Sequence, residues 1–348
     1  MLCPAKLRPL WRRTGVVLSA VLVLALGASQ PSYAQQASAD QADTALRLRM
    51  VQRQNLHDAT NGRAPATGSI RVGVRNNGLS SDVVVKRRQA PTVEPLIKSA
   101  QLNSEAVYVQ ELGSDTVLYD KNSTDIRPIA SISKLMAALI VVEAGLPMDE
   151  ILTITSDDVD RLRHSRSRLP VGTKLSRGDL LHLSLMSSEN RAAHALGRHY
   201  PGGMPAFVRA MNDKARALGM RHTRFVEPTG LSAENVSTAR DLVKLVQATA
   251  QHPLIRHYST NSQYDVTLSR GRQLAYRNTN RLVRNDTWDI QLSKTGFINE
   301  AGECLVMLTR IDGRDVAMVL LNAAHRTRIT DAVRLRSLVQ KSTDLAML

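Results

Sequence analysis

Residues 128–144 read PIASISKLMAALIVVEA, and this stretch decides the fold. Every residue from Leu135 to Val142 is apolar, so a helix formed here is apolar around its whole circumference and has to be buried. Pro128 suits a helix start, which predicts a helix over residues 128–144. Ser131 and Lys134 are three residues apart, so their side chains are expected on one face of that helix, one turn apart.

This pair is suited to nucleophilic catalysis. A serine hydroxyl is a weak nucleophile that needs a neighbouring base, and lysine can be that base only when it is neutral. Burial, a second nearby cation and the positive end of a helix each lower the pKa of a lysine. Lowering that pKa from ~10.4 to about 7–8 costs roughly 3–5 kcal/mol, which a buried helix can support and a solvated surface pair cannot.

A second motif, Ser188-Glu189-Asn190, lies between two predicted helices. One interpretation is a helix junction in which Ser188 or Asn190 acts as an N-cap. The other is catalytic: the Ser188 hydroxyl relays a proton from Lys134 to the leaving group, while the Asn190 amide holds Lys134 and the substrate backbone.

A third motif, Lys294-Thr295-Gly296, ends a strand-like run over residues 288–293. A peptide substrate can pair with the edge of such a strand, and Gly296 lets the two backbones approach. Lys294 would supply positive charge for a substrate carboxylate and lower the pKa of Lys134, and Thr295 would donate a hydrogen bond to the same carboxylate.

Strand patterns lie near both ends of residues 101–348, and helix patterns lie between them. Strands are predicted over 106–110, 117–119, 264–268, 274–277, 288–292, 304–310 and 316–322. Beyond the first helix, further helices are predicted over 177–187, 191–199, 204–217, 238–250 and 329–342. This order predicts an α+β fold with one antiparallel sheet to which both ends of the domain contribute.

The N-terminal third is predicted to lie outside that domain. Cations precede an apolar run from Gly15 to Ala28, and Ser32 and Ala34 fit a signal-peptidase site, which predicts a signal peptide over residues 1–34. The run is shorter than the ~20 residues of a spanning helix, which favours a signal over a membrane anchor. Residues 35–100 are rich in turn-forming and polar residues and are interpreted as a flexible basic linker rather than a specific binding segment.

Composition limits the kinds of cofactor and binding partner that the protein is expected to have. The chain has two cysteines, of which Cys3 belongs to the predicted signal, so no internal disulfide is expected. No metal-binding motif is present, and neither a metal nor another cofactor is predicted. The formal charge of +15 attracts anionic partners, and because export argues against nucleic acid, cell-wall carboxylates or anionic lipid surfaces are favoured.

The three motifs in this order resemble the low-molecular-mass penicillin-binding proteins, specifically the D-alanyl-D-alanine endopeptidase type of the serine D-Ala-D-Ala carboxypeptidase family. The resemblance is supported by residues 127–136, 225–231, 278–283 and 292–302. It implies a β-lactamase/transpeptidase-like fold, with an antiparallel five-stranded sheet flanked by helices and a helical subdomain.

The resemblance also implies roles for the motif residues. Ser131 would be the nucleophile and Lys134 the base, with Ser188 and Asn190 relaying and orienting. The substrate-binding residues would be Lys294, Thr295, Gly296 and Phe297, where the backbone N–H groups of Ser131 and Phe297 form an oxyanion hole.

The expected function is that of a periplasmic D,D-endopeptidase. It would cleave D-alanyl crosslinks between peptidoglycan stem peptides through an acyl-Ser131 ester and would be inhibited covalently by β-lactam antibiotics. Only 52 residues follow Gly296, too few for the second β-rich domain and amphipathic tail of many carboxypeptidase relatives. This length is expected of the endopeptidase type and predicts at most loose membrane association. The alternatives are a D,D-carboxypeptidase, a β-lactamase that uses a glutamate such as Glu227 for deacylation, and a non-catalytic murein-binding protein.

Overall fold

The computed structural model of the protein describes residues 101–268 and 271–346. The signal peptide predicted over residues 1–34 and the linker predicted over residues 35–100 lie outside these ranges. None of the helices in the two described ranges is both long enough and apolar enough to cross a membrane.

The described residues form eleven strands and seven α-helices. The strands are β1 (Ser104–Glu111), β2 (Val117–Lys121), β3 (Arg127–Pro128), β4 (Ile151–Thr153), β5 (Lys174–Ser176), β6 (Val236–Ser237), β7 (Gln263–Thr267), β8 (Gln273–Arg277), β9 (Asp289–Ile298), β10 (Gly302–Ile311) and β11 (Arg314–Ala323). The helices are α1 (Ser133–Glu143), α2 (Arg177–Met186), α3 (Asn190–Arg198), α4 (Gly203–Ala217), α5 (Ala239–Ala250), α6 (Pro253–Thr260) and α7 (Arg328–Ala346).

A five-stranded antiparallel sheet with the order β2-β1-β11-β10-β9 organises the domain. β1 from the start of the domain pairs with β11 from its end, in a register that places Ala106 opposite Leu321 and Val109 opposite Met318. The predicted sheet shared by both ends of the domain is therefore confirmed, as is the α+β class. β9 is an edge strand of this sheet, so one of its two edges is not paired with another strand of the sheet. The site described below lies beside β9.

Both faces of the sheet are covered, which explains why its strands are apolar almost throughout. In β10, Leu305 and Met307 pack in one cluster with Leu335 of α7. Val306 and Leu308 of the same strand pack in the other cluster, with residues of α1 and α5. Residues that alternate along β10 therefore enter two different cores, as expected for side chains that alternate across a strand.

The first helix starts later than predicted. Residues Ala130–Ile132 form a 3₁₀ turn, α1 begins at Ser133, and Pro128 belongs to β3, which pairs with β6. Ala130 has a φ of 47°, outside the range of a right-handed helix, so a continuous helix from residue 128 is impossible. Residues 133–141 are buried, as the all-round apolar pattern predicted.

Other elements follow the prediction with small shifts. The hairpin predicted over 264–268 and 274–277 is formed by β7 and β8, with Tyr264 opposite Tyr276. The sequence prediction missed α6, which is short and starts with Pro253 at its first position, and it missed the two-stranded pairs β3–β6 and β4–β5. These elements have two to eight residues, too few for a periodic pattern to stand out.

Candidate active site

Ser131 lies in the 3₁₀ turn before α1, and two glycines press against that turn. A Cβ placed on Gly230 would lie 1.9 Å from the carbonyl oxygen of Ala130, and one on Gly296 would lie 3.0 Å from the backbone nitrogen of Ser131. Gly230 also has a φ of +77°. A Cβ atom has no room at Gly230, so this position has to be glycine. Only then can the turn that carries Ser131 pack between the 227–235 loop and β9.

Lys134 lies one turn after Ser131 and is fully buried. Its Nζ donates to Ser131 Oγ at 2.9 Å, to Asn190 Oδ1 at 2.8 Å and to the carbonyl oxygen of Thr229 at 2.5 Å. Carbonyl oxygens only accept hydrogen bonds, whereas a hydroxyl can also donate. When Lys134 is neutral, its lone pair can therefore be used only by the hydroxyl of Ser131.

The pKa of Lys134 is suited to this task. Burial lowers it from 10.5 to about 8, although the carboxylates of Glu227 and Glu189 act in the opposite direction. A lysine with this pKa is partly neutral near neutral pH, which a general base requires.

The predicted motif Ser188-Glu189-Asn190 forms the connection between α2 and α3. Ser188 has a φ of 61°, a conformation that L-residues rarely adopt, and its Oγ accepts a hydrogen bond from Lys294 Nζ at 2.9 Å. Asn190 is the first residue of α3 and holds Lys134 through its side-chain carbonyl, while its Nδ2 donates to Ser165 Oγ at 2.9 Å. The structure thus places Ser188 against Lys294 and Asn190 against Lys134.

Glu189, the middle residue of the motif, is hydrogen-bonded to neither lysine among the contacts of the described residues. Its side chain is buried and accepts a short hydrogen bond from Ser167 Oγ. Burial raises the pKa of its carboxyl group, although the hydrogen bond from Ser167 and the charge of Lys134 lower it. Glu189 therefore ties the loop before Leu169 to the α2–α3 connection.

Lys294 of β9 is the second buried lysine of the site. Its Nζ donates to Ser188 Oγ and to the carbonyl oxygen of Thr295, each at 2.9 Å. Burial lowers the pKa of Lys294 well below 10.5, and the charges of Lys134 and Arg328 lower it further. Two buried ammonium groups repel each other, so their titrations are coupled and protonating one makes it harder to protonate the other.

The rest of the third motif follows along the edge strand. Thr295 Oγ1 lies 2.6 Å from Thr279 Oγ1, which positions its hydroxyl. Gly296 lies against the Ser131 turn, and its carbonyl oxygen accepts a hydrogen bond from Arg328 at 2.9 Å. Phe297 comes next, with 56 % of its surface exposed. The oxyanion hole expected from Ser131 and Phe297 stays a prediction.

Glu227 stabilises the loop over residues 227–235, which contacts Lys134. Its carboxylate accepts five hydrogen bonds, from Thr229 N, Thr229 Oγ1, Gly230 N, Ser232 N and Asn235 Nδ2. These bonds fix the loop in which the Thr229 carbonyl meets Lys134. All of the carboxylate's bonds are thus made within its own loop, as expected of a residue with a structural role.

The sequence analysis missed the loop over residues 160–168, which borders the site. Arg163 of this loop donates a short hydrogen bond to the carbonyl oxygen of Leu231 and forms an ion pair with Glu300 at 2.8 Å. It therefore joins three separate segments: its own loop, the 227–235 loop and the connection between β9 and β10. No periodic pattern in the sequence signals such a contact, because it joins residues far apart in the chain.

The geometry amounts to a buried, weakly basic lysine in contact with a hydroxyl, beside a second buried lysine in contact with another hydroxyl. Comparisons with known proteins agree with it. The family model described as D-alanyl-D-alanine carboxypeptidase, Peptidase S11, matches residues 89–325. The chain belongs to the D-alanyl-D-alanine carboxypeptidase family. This peptidase is therefore a serine hydrolase.

Two relatives that are about half identical to the peptidase are both D-alanyl-D-alanine endopeptidases. The D-alanyl-D-alanine endopeptidase of Pseudomonas aeruginosa is 50% identical to the peptidase over 238 residues, which cover 68% of this chain and 77% of that protein. The D-alanyl-D-alanine endopeptidase of Escherichia coli is 49% identical over 242 residues, with 69% and 78% covered.

A solved structure supports the fold. Penicillin-binding protein D2 from Listeria monocytogenes, in its cefotaxime-bound form, superposes with a TM-score of 0.61 at 30% identity, over 69% of this chain and 98% of that chain. The resemblance to low-molecular-mass penicillin-binding proteins that the motifs predicted is thereby confirmed.

Proposed function

We propose that the peptidase is a periplasmic D,D-endopeptidase that cleaves D-alanyl crosslinks in peptidoglycan through an ester on Ser131. The observation that carries the proposal is the 2.9 Å contact between Ser131 Oγ and the buried Nζ of Lys134. The names of the relatives that are about half identical support the endopeptidase branch. Export rests on the signal peptide predicted over residues 1–34, and any membrane association is proposed to be loose.

In the proposed reaction, neutral Lys134 takes the proton of Ser131 while Oγ attacks the carbonyl carbon of the D-alanyl residue. The carbon–nitrogen bond of the crosslink then breaks, and the departing amine needs a proton. That proton is the one that Lys134 took from Ser131, and Ser188 is the proposed relay that passes it from Lys134 to the amine. In the free protein the Ser188 hydroxyl contacts Lys294, so the relay requires this hydroxyl to turn towards Lys134. A water molecule subsequently attacks the ester and gives its proton to Lys134, which restores the Ser131 hydroxyl.

Substrate recognition is assigned to the edge of the sheet. The stem peptide is proposed to pair with β9, and Lys294 with Thr295 to bind the carboxylate next to the scissile amide. The same clamp would hold the carboxylate of a β-lactam, which would then acylate Ser131 as a covalent inhibitor.

D,D-carboxypeptidase activity would use the same catalytic groups and is the second candidate function. The other two candidate functions, β-lactamase and non-catalytic murein binding, are disfavoured. A β-lactamase of the expected type needs a glutamate free to activate water, but Glu227 is held by five hydrogen bonds within its own loop. A non-catalytic murein-binding protein would have no use for a buried lysine with a pKa of about 8 next to a serine.

Digestion of purified crosslinked sacculi tests the proposal, with products read by mass. An endopeptidase converts dimeric muropeptides to monomers, while a carboxypeptidase converts pentapeptides to tetrapeptides. The matched control is Ser131→Ala, which leaves the sacculi unchanged. Dimers that persist with the wild-type protein would reject the endopeptidase assignment.

A further inference from the structure

A cavity of about 170 Å³ adjoins the catalytic groups. Its wall contains Asn190 and Thr229, both of which bind Lys134, but no residue of β9. Lys294 marks the side of the leaving group, because it is the proposed clamp for the carboxylate next to the scissile amide. Because no residue of β9 lines it, the cavity is assigned to the side of the acyl donor, where the residues that precede the attacked D-alanyl carbonyl have to be.

One wall of this cavity is a histidine held by a buried carboxylate. Asp158 is buried and receives hydrogen bonds from His194 Nδ1 at 2.8 Å and from Arg198 at 2.9 and 3.1 Å. Burial alone would raise the pKa of Asp158, but the bonds from His194 and Arg198 lower it to about 2. Because the ionised Asp158 accepts from Nδ1, the neutral form of His194 carries its proton there and has Nε2 as an acceptor. Among the described residues, no group bonds to Nε2.

Some of the other polar groups in the cavity wall already have hydrogen-bond partners within the described residues, and others have none. Asp160 accepts hydrogen bonds from the backbone nitrogens of residues 162, 163 and 165, and Glu227 is likewise saturated within its loop. Asp157 and Arg161 are exposed, and neither side chain has a hydrogen bond or ion pair with the described residues. The cavity thus offers a free carboxylate, a free imidazole nitrogen and a free guanidinium group.

These three groups complement a side chain that ends in an ammonium and a carboxylate on one carbon. A crosslinked substrate would carry such a side chain if its diamino acid has a carboxylate on the carbon that bears the side-chain amine. Its crosslink joins a D-alanyl residue to the side-chain amine of a diamino acid in the neighbouring stem, so in the donor stem the equivalent amine is free. An ammonium would be bound by Asp157 and His194 Nε2, and an adjacent carboxylate by Arg161.

We propose that this cavity is a subsite that binds the charged end of the diamino acid side chain in the acyl-donor stem, through Asp157, Arg161 and His194. The inference rests on the proposed function, since it assumes a D-alanyl acyl donor. It makes His194 a binding residue and Asp158 and Arg198 positioning residues for it.

Three D-alanyl peptides with the same leaving group test the subsite. Their diamino acid ends in an ammonium with a carboxylate, in an N-acetylated amine with a carboxylate, or in an ammonium alone. For the full-length wild-type protein, we expect kcat/KM for the first peptide to exceed that for each of the other two about fivefold, the effect of one solvent-accessible charge pair of about 1 kcal/mol.

Each variant is expected to lose one of these preferences. Asp157→Asn should remove the preference for the free ammonium, and Arg161→Gln should remove the preference for the carboxylate. Asp149→Asn, an exposed aspartate outside the cavity, is the matched control and should keep both ratios. Equal kcat/KM values for the three peptides in the wild type, or unchanged ratios in both cavity variants, would overturn the proposal.

Covalent labelling by a fluorescent penicillin separates this failure from a failure of the proposed function. Labelled protein without the preferences refutes the subsite alone. Protein that binds no penicillin and cleaves none of the peptides refutes the function on which the subsite rests.

Discussion

The rate of acylation should rise with pH because Lys134 has to be neutral to accept the proton of Ser131. With a pKa of about 8, about 9% of Lys134 is neutral at pH 7, half at pH 8 and about 90% at pH 9. The saturating acylation rate should therefore increase about tenfold between pH 7 and pH 9 and level off above that. With the ordinary pKa of 10.5, only about 0.03% would be neutral at pH 7.

The assay is rapid-quench measurement of penicillin acylation from pH 6 to pH 10 at saturating antibiotic. Saturation matters because the titrations of the two lysines are coupled, and a bound antibiotic carboxylate favours protonated Lys294 throughout, which leaves Lys134 as the group that titrates. A midpoint near 10.5, or a rate that does not change between pH 6 and pH 9, would refute the reasoning about burial.

Two variants complete the test. Lys134→Met should lose acylation as fully as Ser131→Ala while staying folded, because it replaces a buried cation by an apolar side chain of similar length. Lys174→Met, at an exposed lysine of β5, should keep the wild-type pH profile. Acylation of Lys134→Met near the wild-type rate would show that another group is the base.

Three further predictions concern the groups around this pair. Gly230→Ala should abolish penicillin labelling and lower the thermal midpoint by several degrees, since its Cβ would lie 1.9 Å from a backbone oxygen; wild-type labelling would contradict the clamped turn. Lys294→Ala should weaken acylation by ligands with a free carboxylate at least tenfold more than acylation by a carboxylate-free ester, as competition assays would show; equal losses would argue against a clamp. Binding of a carboxylate ligand to Ser131→Ala should take up protons, because the ligand's charge raises the lowered pKa of Lys294. Calorimetry in buffers of different ionisation enthalpy measures this uptake, and identical heats in all buffers would contradict it.

Much of the fold could be predicted from local patterns. The all-round apolar run after Lys134 identified a buried helix, and the late strands identified the sheet, because each has enough residues to display its period. The start of α1 was misplaced because Ala130 adopts a left-handed conformation where its carbonyl group packs against Gly230, and this long-range contact cannot be seen in the sequence.

The candidate site was predictable only as a set of motifs. The sequence placed Asn190 next to Lys134, and the structure has this contact, but it puts the Ser188 hydroxyl on Lys294 instead of Lys134. Nothing in the sequence indicated that the carbonyl oxygen of Thr229 binds Lys134, because every residue type has the same backbone carbonyl group.

The electrostatics of the two lysines agree with the sequence-based reasoning on burial. Burial and the charge of Lys294 were both expected to lower the pKa of Lys134, and burial is the main cause of the lowered pKa of both lysines. The repulsion between the two ammonium groups is mutual, and the charge of Lys134 lowers the pKa of Lys294. Burial of a particular side chain depends on the whole fold and cannot be taken from a motif.

The most direct test of the account is the mass of the protein after treatment with a penicillin, followed by peptide mapping. We expect one covalent adduct, on the peptide that contains Ser131, and no adduct in Ser131→Ala or Lys134→Met. An adduct on a different residue, or wild-type protein that stays unmodified at saturating antibiotic, would contradict the claim that a buried neutral lysine activates this serine.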